Sequence, residues 1–283
     1  MTRPYRSALY IPASRPRALD KARGLTADAI LFDLEDAVLP AEKAEGRQTL
    51  TTELAKGGYG SRARIVRINA LETEWGEADA IAMANAACDG VLLPKVNGPD
   101  DLDRLAALVP DKPLWAMMET PLGILRAADI AAHPRLAGIV MGTNDLAKDL
   151  GLRNRADRMP LMQALQISLI AARAYGRVAI DGVYNAFRDA DGLKLECAQG
   201  RDLGFDGKSL IHPDQLAIAN AAFAPLAEEL DLAKRQIAAF AEAEAAGQGV
   251  AVVDGKIVEN LHIVTAQATL AKAAAIAALE AET

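Results

Sequence analysis

The chain has 283 residues, a formal net charge of -7 and a hydrophobic fraction of 51%. This length fits one large α/β domain or two small ones, and the composition is that of a globular protein with a full core. The negative charge and an aromatic content of only 4% argue against non-specific nucleic-acid binding, against binding to an anionic membrane and against a base-stacking surface.

Histidine and cysteine offer little for metal or redox chemistry. Cys88 and Cys197 lie far apart and form no CxxC pair, so neither a disulfide framework nor a thiolate zinc site is expected. The three histidines are isolated, and we expect structural roles for them: His133, His212 and His262. A metal site would therefore depend on carboxylates. No apolar run approaches the roughly 18–20 residues of a membrane span and no signal-peptide segment is evident, so we expect a cytoplasmic protein.

Short apolar runs alternate with Ala- and Leu-rich amphipathic stretches along the chain. The predicted strands are Ser7–Ile11, Ala29–Leu34, Arg64–Ile68, Gly90–Pro94, Leu114–Met118, Gly138–Met141, Arg177–Gly182 and Phe205–Ile211. The predicted helices are Pro16–Lys21, Pro40–Ala55, Trp75–Ala87, Pro99–Leu108, Ile124–Ala132, Met159–Tyr175, Asp189–Leu203 and Pro213–Phe223. Continuous apolar runs of this kind are typical of strands buried on both faces of a parallel sheet.

Eight strand–helix repeats predict a (β/α)₈ TIM barrel over residues 1–225. The alternative is a doubly wound open sheet. Two features count against it: residues 10–15 read YIPASR, without the GxGxxG of a dinucleotide-binding turn, and polar residues recur at the ends of many strands.

Residues 226–283 form a different C-terminal extension. A long helix over Leu226–Ala246 is followed by two short β-rich runs around Asp254-Gly255, a type I′ turn signal. A final helix is predicted over Val264–Leu279. We expect this extension to be a lid or a subunit-exchange element.

Glu119 and Asp145 are the predicted metal ligands. Each follows an apolar strand directly, and in a TIM barrel the carboxyl ends of the strands carry the chemistry. Two carboxylates on adjacent strands, completed by waters and substrate oxygens, suit Mg²⁺. The alternatives are that Asp145 caps a helix starting near Leu146 and that Glu119 pairs with Arg67.

Arg67 ends the third strand and is the predicted binding residue for a substrate carboxylate or carbonyl. An ion pair with the nearby acids Asp33, Glu35 and Asp36 is equally compatible. These acids could orient metal-bound waters, and we assign Asp36 to the catalytic set; charge at a helix N-terminus is the alternative.

Further strand ends and the first helix supply the remaining candidates. The segment before Asp145 is assigned to substrate binding: Gly142, Thr143 and Asn144. Other polar residues at strand ends are Asn69, Lys95, Asp181, Tyr184 and Lys208. After the first strand, three basic residues could hold the phosphates of coenzyme A, or could simply face solvent: Arg15, Arg17 and Lys21.

Seven segments together resemble the citrate lyase beta-subunit-like family, which includes malyl-CoA, β-methylmalyl-CoA and citramalyl-CoA lyases and malyl-CoA thioesterases. They are residues 6–12 (RSALYIP), 32–38 (FDLEDAV), 66–69 (VRIN), 93–95 (LPK), 118–123 (METPLG), 142–146 (GTNDL) and 207–213 (GKSLIHP). They run in family order across nearly the whole chain.

The resemblance implies Mg²⁺ on Glu119 and Asp145, with Arg67 binding the oxygens of the small acid. It also implies a homotrimer or hexamer in which a C-terminal segment places a catalytic Asp at a neighbouring subunit's mouth. The matching stretch here, residues 254–259, reads DGKIVE. Glu259 stands where the family has Asp, which puts the acid–base step in question.

The function implied is a Mg²⁺-dependent C–C lyase. A 3-hydroxyacyl-CoA would be cleaved to a 2-oxoacid and an acyl-CoA enolate, which Glu259 of a neighbouring subunit would protonate. Water attack on the thioester would instead make the same site a thioesterase. The sequence is also compatible with an aldolase acting on free 2-oxoacids, with a carrier-dependent citryl lyase subunit and with a non-catalytic barrel.

Overall fold

The computed structural model describes residues 3–282. These residues form two compact units, one of residues 5–223 and one of residues 3–4 with 224–282.

The larger unit is built on a closed parallel barrel. Strands β1 to β8 are Ser7–Pro12, Ala29–Asp33, Ala63–Arg67, Gly90–Leu93, Leu114–Met118, Leu136–Met141, Val178–Asp181 and Gly207–Leu210. Each strand pairs with the next, and β8 pairs in parallel with β1. The predicted TIM barrel is confirmed, because closure of the sheet excludes the doubly wound alternative.

Helices connect the strands and continue into the smaller unit. Helices α1 to α12 are Pro16–Ala22, Lys43–Lys56, Gly76–Ala84, Pro99–Leu108, Pro121–Leu125, Ala127–Ala132, Thr143–Asp149, Met162–Ala174, Ala190–Leu203, Leu216–Phe223, Ala227–Ala245 and Asn260–Ala281. Short 3₁₀ turns occupy Pro40–Glu42, Met159–Leu161 and Pro213–Gln215.

The helices after β5 and β6 differ from the prediction. The helix predicted over Ile124–Ala132 is two helices, α5 and α6, separated at Arg126. It starts earlier than predicted because the Thr120 side chain caps α5, accepting a 3.0 Å hydrogen bond from the Gly123 N–H. Helix α7, over Thr143–Asp149, begins before the helix near Leu146 that was considered only as an alternative, and its seven residues are too few to show a period.

The barrel interior is filled around Trp115, and two glycines make room for its indole. A Cβ on Gly138 would lie 2.4 Å from Trp115 Cζ3, and one on Gly90 would lie 2.9 Å from Trp115 Cδ1. Leu31 and Met117 belong to the same interior cluster. Dense packing of this kind closes the barrel core and leaves the carboxyl ends of the strands as the place for a site.

The smaller unit contains the predicted hairpin. Strands β9 (Ala251–Val253) and β10 (Lys256–Val258) are antiparallel, and both turn residues have positive φ, 51° at Asp254 and 73° at Gly255, as a type I′ turn requires. Helix α12 begins at Asn260, earlier than the predicted Val264.

One helix bears on the expectation that no apolar run approaches the length of a membrane span. Among residues 3–282, α12 is the helix long and apolar enough by length and composition, with a mean hydropathy of 1.3 over 18 residues. Alanine is its most frequent residue, since the helix reads NLHIVTAQATLAKAAAIAALEA. A single helix of this kind is weak evidence for a membrane.

Candidate active site

Arg67 lies at the mouth of the barrel within an acidic cluster. Its Nε and Nη2 donate to the two carboxylate oxygens of Asp33 at 2.8 and 2.7 Å. Its Nη1 lies 2.8 Å from Glu35 and 3.3 Å from Asp36, and the Tyr10 ring packs 4.9 Å from the guanidinium carbon. The ion pair with the nearby acids is therefore formed, and it fixes the orientation of the guanidinium.

Asp33 is the anchor of this cluster. It stands opposite Arg67 in the pairing of β2 with β3, so the two side chains meet at the strand ends. Its carboxylate also accepts the N–H groups of Glu35 at 2.9 Å and Ala37 at 3.1 Å. Because these donors use both oxygens, Asp33 positions Arg67 and the following loop.

Glu119 and Asp145 converge on the ammonium of Lys95. The Lys95 Nζ lies 3.2 Å from Asp145, 3.4 Å from Glu35 and 3.8 Å from Glu119. The Lys95 N–H also donates to Glu119 Oε1 at 2.7 Å, and this residue has a positive φ of 54°, which is uncommon outside glycine. The predicted carboxylate pair thus shares one position that attracts a cation.

Gly142 lets the Glu119 carboxylate reach that position. A Cβ on Gly142 would lie 2.3 Å from Glu119 Oε2 and 2.4 Å from its Cβ. Gly142 also precedes α7, whose first turn contains Asp145. The suggestion that Asp145 caps a helix near Leu146 is wrong, because α7 already begins at Thr143 and Gly142 occupies the cap position.

Burial dominates the electrostatics of the cluster. It raises the pKa of the Glu119 carboxyl, although Lys95 opposes the rise. It also raises the pKa of Glu35 to about 7, a rise that Arg67 opposes and Asp36 strengthens. Carboxylates that are costly to ionise in isolation are stabilised by any cation bound among them, so the mouth favours a positively charged ligand.

The predicted site residues line one cavity of about 330 Å³. Those in its wall are Asp36, Arg67, Glu119, Gly142, Thr143, Asn144 and Asp145. Tyr10, Met117, Met141, Val183 and Ile211 add apolar surface. Within residues 3–282 there is no group of three or more His, Cys, Asp or Glu side chains arranged for a metal. A cation here would have two protein carboxylates and take its other ligands from water or substrate, which fits Mg²⁺.

The remaining candidates lie outside this cavity. Arg15, Arg17 and Lys21 are exposed on or before α1, and Arg15 comes within 4.0 Å of Glu42. Glu259 is exposed and precedes α12 in the smaller unit. The coenzyme A contacts of the three basic residues and the acid role of Glu259 stay predictions.

Each histidine supports the backbone through Nδ1. Each Nδ1 accepts a hydrogen bond from a nearby backbone N–H: His133 from Arg135 at 3.2 Å, His212 from Asp214 at 3.2 Å and His262 from Glu259 at 3.0 Å. Both cysteines are buried and free.

Sequence reasoning missed a second group of charged residues beside β7 and β8. Arg158 lies 2.8 Å from Asp181 and 3.6 Å from Glu196. Lys208 lies 3.1 Å from Asp181 and 2.6 Å from Glu196. Asp181 and Lys208 were named as residues at strand ends, but Arg158 lies in a loop without a pattern. The role of Lys95 was missed as well, although it follows the end of β4 by two residues, much as Glu119 follows the end of β5 by one.

Residues 6–213 match the family described as HpcH/HpaI aldolase/citrate lyase. The chain belongs to the HpcH/HpaI aldolase/citrate lyase family. Within it, a "(3S)-malyl-CoA thioesterase" of Cereibacter sphaeroides strain KD131 is 65% identical over 278 residues, which cover 98% of each chain. The citrate lyase subunit beta of Escherichia coli K12 is 35% identical over 284 residues, covering 96% of this chain and 94% of the relative.

Solved structures of the family carry ligands. The CitE protein of Mycobacterium tuberculosis, in complex with magnesium, acetoacetate and coenzyme A, superposes with a TM-score of 0.80 at 31% identity, covering 95% of this chain and 97% of that chain. A citrate lyase beta subunit from the same organism, complexed with oxaloacetate and magnesium, has a TM-score of 0.71 at 33% identity over 78% of this chain and 98% of that chain.

Proposed function

We propose that the chain hydrolyses the thioester of a 3-hydroxyacyl-CoA of the malyl-CoA type in a Mg²⁺-dependent reaction. The observation that carries the proposal is the convergence of Glu119 and Asp145 on one cation position beside Arg67. The 65% identity to a thioesterase over nearly the full length of both chains favours hydrolysis over other reactions that such a site could perform.

Glu119 and Asp145 would hold Mg²⁺ in the place that the Lys95 ammonium occupies. Bound there, Mg²⁺ would polarise the oxygens of the substrate. Lys95 is 45% exposed, so its side chain can swing into solvent when another cation enters.

Arg67 and Asp36 would act on the substrate and on water. Asp33 holds Arg67 in one orientation, so the guanidinium can bind a substrate carboxylate without losing much side-chain freedom. Asp36 also lines the cavity, and its side chain is 65% exposed. Its carboxylate can therefore accept the proton of an attacking water, while the thiolate of coenzyme A leaves.

Coenzyme A would enter along α1, where Arg15, Arg17 and Lys21 are exposed and can pair with its phosphates. A coenzyme A thioester as substrate agrees with the cytoplasmic location expected from the sequence.

Cleavage of a C–C bond is the second candidate. The citrate lyase beta subunits that are 35% identical to this chain favour it, and the same cation and arginine would polarise the oxygen that becomes a carbonyl. Its products would be a 2-oxoacid and an acyl-CoA. Activity on free 2-oxoacids, or only on a carrier-bound substrate, is a further alternative, and the absence of any reaction with (3S)-malyl-CoA would favour it.

The assay incubates (3S)-malyl-CoA with the protein and Mg²⁺ and follows free thiol and glyoxylate separately. Thiol release without glyoxylate supports hydrolysis, whereas glyoxylate with acetyl-CoA supports the lyase. Asp145→Asn should lower the rate at least about 100-fold by removing a metal ligand. Asp149→Asn, an exposed acid of the same helix, is the matched control and should keep full rate.

We further propose a homotrimer or hexamer in which Glu259 completes a neighbour's site. The outward side chains of the hairpin, Val252 and Ile257, are 67% and 62% exposed and pair across the strands, which offers an apolar surface to a second copy. Mixing inactive Glu119→Gln chains with inactive Glu259→Gln chains should restore part of the activity. A Glu259→Gln chain with full activity would contradict the composite site.

A further inference from the structure

A second cavity of about 280 Å³ adjoins the first within the barrel unit. The residues shared by the two walls are Thr143, Asn144, Val183 and Asn185. The rest of the second wall comes from residues 152–156 after α7, from Arg158 with residues 160–161, from the segment after β7 and from Glu196 of α9. A ligand in one cavity is therefore next to a ligand in the other.

The two cavities have opposite charge. The charged residues of the first are Asp33, Asp36, Glu119, Asp145 and a single cation, Arg67. Those of the second are Arg153, Arg155, Arg158 and a single acid, Glu196. Since the first cavity favours a cation, an anion entering the mouth is drawn toward the second.

Arg158 is a buried guanidinium with one unpaired nitrogen among residues 3–282. Its side chain is 5% exposed, its Nη1 contacts both oxygens of Asp181 at 2.8 Å and its Nε donates to Gln199 at 2.7 Å. Its Nη2 is buried and has no hydrogen-bond partner in residues 3–282. A buried donor without an acceptor is unfavourable, so a bound acceptor would be stabilised there.

The backbone at Arg158 is also held in an uncommon conformation. Its φ is 51° and its ψ is 19°, in the left-handed region. A non-glycine residue persists there when its surroundings hold it, and here the bonds of its side chain to Asp181 and Gln199 do so. The guanidinium is thereby fixed before any ligand arrives.

Arg153 supplies positive charge that nothing in the cavity wall offsets. The charge of Arg158 is matched by Asp181 and Glu196, which also hold Lys208. Arg155 pairs with Asp157 at 2.7 Å. Arg153, in contrast, is exposed, and no ion pair links it to another of the described residues.

We propose that this second cavity is a binding subsite for an oxyanion, with Arg158 Nη2 and Arg153 as its donors. Planar guanidinium groups bind carboxylates and phosphates through charge-assisted hydrogen bonds. The oxyanion is either the carboxylate of a small organic acid or a phosphate group. The subsite requires neither bound Mg²⁺ nor thioester chemistry, so its test is independent of the proposed function.

The test titrates sodium malonate, and separately sodium phosphate, into the full chain by calorimetry with EDTA present. One malonate should bind per chain. Arg153→Gln and Arg158→Lys should each raise the Kd for malonate at least tenfold. Arg158→Lys keeps a cation beside Asp181 and removes Nη2. Arg153→Gln changes an exposed residue, so the test survives if Arg158→Lys fails to fold.

Two control variants locate the bound anion. Arg104→Gln removes an exposed arginine that pairs with Glu72 and should leave malonate binding within twofold of the unaltered chain. Asp145→Asn alters only the first cavity and should also leave it unchanged. Binding of phosphate alone, with the same dependence on Arg153, would support the subsite and identify its ligand as a phosphate. No heat from either anion, or equal affinity in Arg153→Gln, would overturn the proposal.

Discussion

Replacing Gly142 by alanine tests whether the Glu119 carboxylate must stand where the structure places it. The added Cβ would lie 2.3 Å from Glu119 Oε2 and 2.4 Å from Glu119 Cβ. The second contact is decisive, because the Glu119 Cβ is fixed to the backbone directly after β5 and cannot turn away as a carboxylate can. Either the end of β5 or the start of α7 must shift by about 0.6 Å or more to bring the contact between the two Cβ atoms to 3.0 Å.

A shift of this size acts on both predicted metal ligands, since Glu119 follows β5 and Asp145 lies in α7. Misplacing a catalytic group by about 1 Å can reduce a rate by about 100-fold, which corresponds to roughly 2.7 kcal/mol of transition-state stabilisation. Overpacking should also lower the free energy of unfolding by about 1–3 kcal/mol. We therefore expect a folded protein with weak Mg²⁺ binding and little activity.

The assay compares kcat for thiol release and the Mg²⁺ concentration for half activation in the unaltered chain, Gly142→Ala and Gly24→Ala. Gly24 is the matched control, since a Cβ there would meet only the Lys21 carbonyl oxygen at 4.0 Å. A soluble, folded Gly142→Ala protein with normal kcat and normal Mg²⁺ activation would refute the placement of the metal ligands.

Three further predictions concern the charges at the mouth. Lys95→Met removes the ammonium that lies among three carboxylates. The melting temperature without metal should therefore fall, and calorimetry should show tighter Mg²⁺ binding. An unchanged Mg²⁺ affinity would contradict the idea that Lys95 and Mg²⁺ share one position. In EDTA, carboxyl-carbon NMR should give Glu35 a pKa of about 7, which added Mg²⁺ lowers. Because this pKa exceeds the unfolded value of about 4.3, the metal-free protein should lose stability as pH rises from about 4.3 toward about 7. A measured pKa of Glu35 near the unfolded value would contradict its burial. Arg67→Met leaves the buried Asp33 carboxylate without its cation and should lower the free energy of unfolding in urea by about 3–5 kcal/mol. Arg64→Met on the same strand is the control: it breaks a partly exposed ion pair and should lower the free energy of unfolding by roughly 1 kcal/mol or less.

The barrel was predictable because most strands are continuous apolar runs and turn residues separate the runs. The placement of Glu119 followed from the same pattern, since a polar residue directly after a buried strand of a TIM barrel faces the mouth. The hairpin was predictable from Asp254-Gly255, because both residues must adopt positive φ in a type I′ turn.

Other features required tertiary contacts that leave no local pattern. Helix α7 is too short to show a period, so the position of Asp145 in its first turn could not be read from the sequence. The ammonium of Lys95 meets Asp145 and Glu35 across the barrel mouth, and such distances depend on closure of the sheet. Arg158 reaches Asp181 from a loop, with a left-handed backbone that favours glycine or asparagine over arginine.

The most direct test of the proposed hydrolysis is the fate of (3S)-malyl-CoA in water enriched in oxygen-18, with Mg²⁺ present. Mass spectrometry of the products distinguishes the two bonds that can break. We predict malate with one heavy oxygen in its new carboxylate, together with free coenzyme A. Glyoxylate and acetyl-CoA without labelled malate would contradict hydrolysis and would establish C–C cleavage instead.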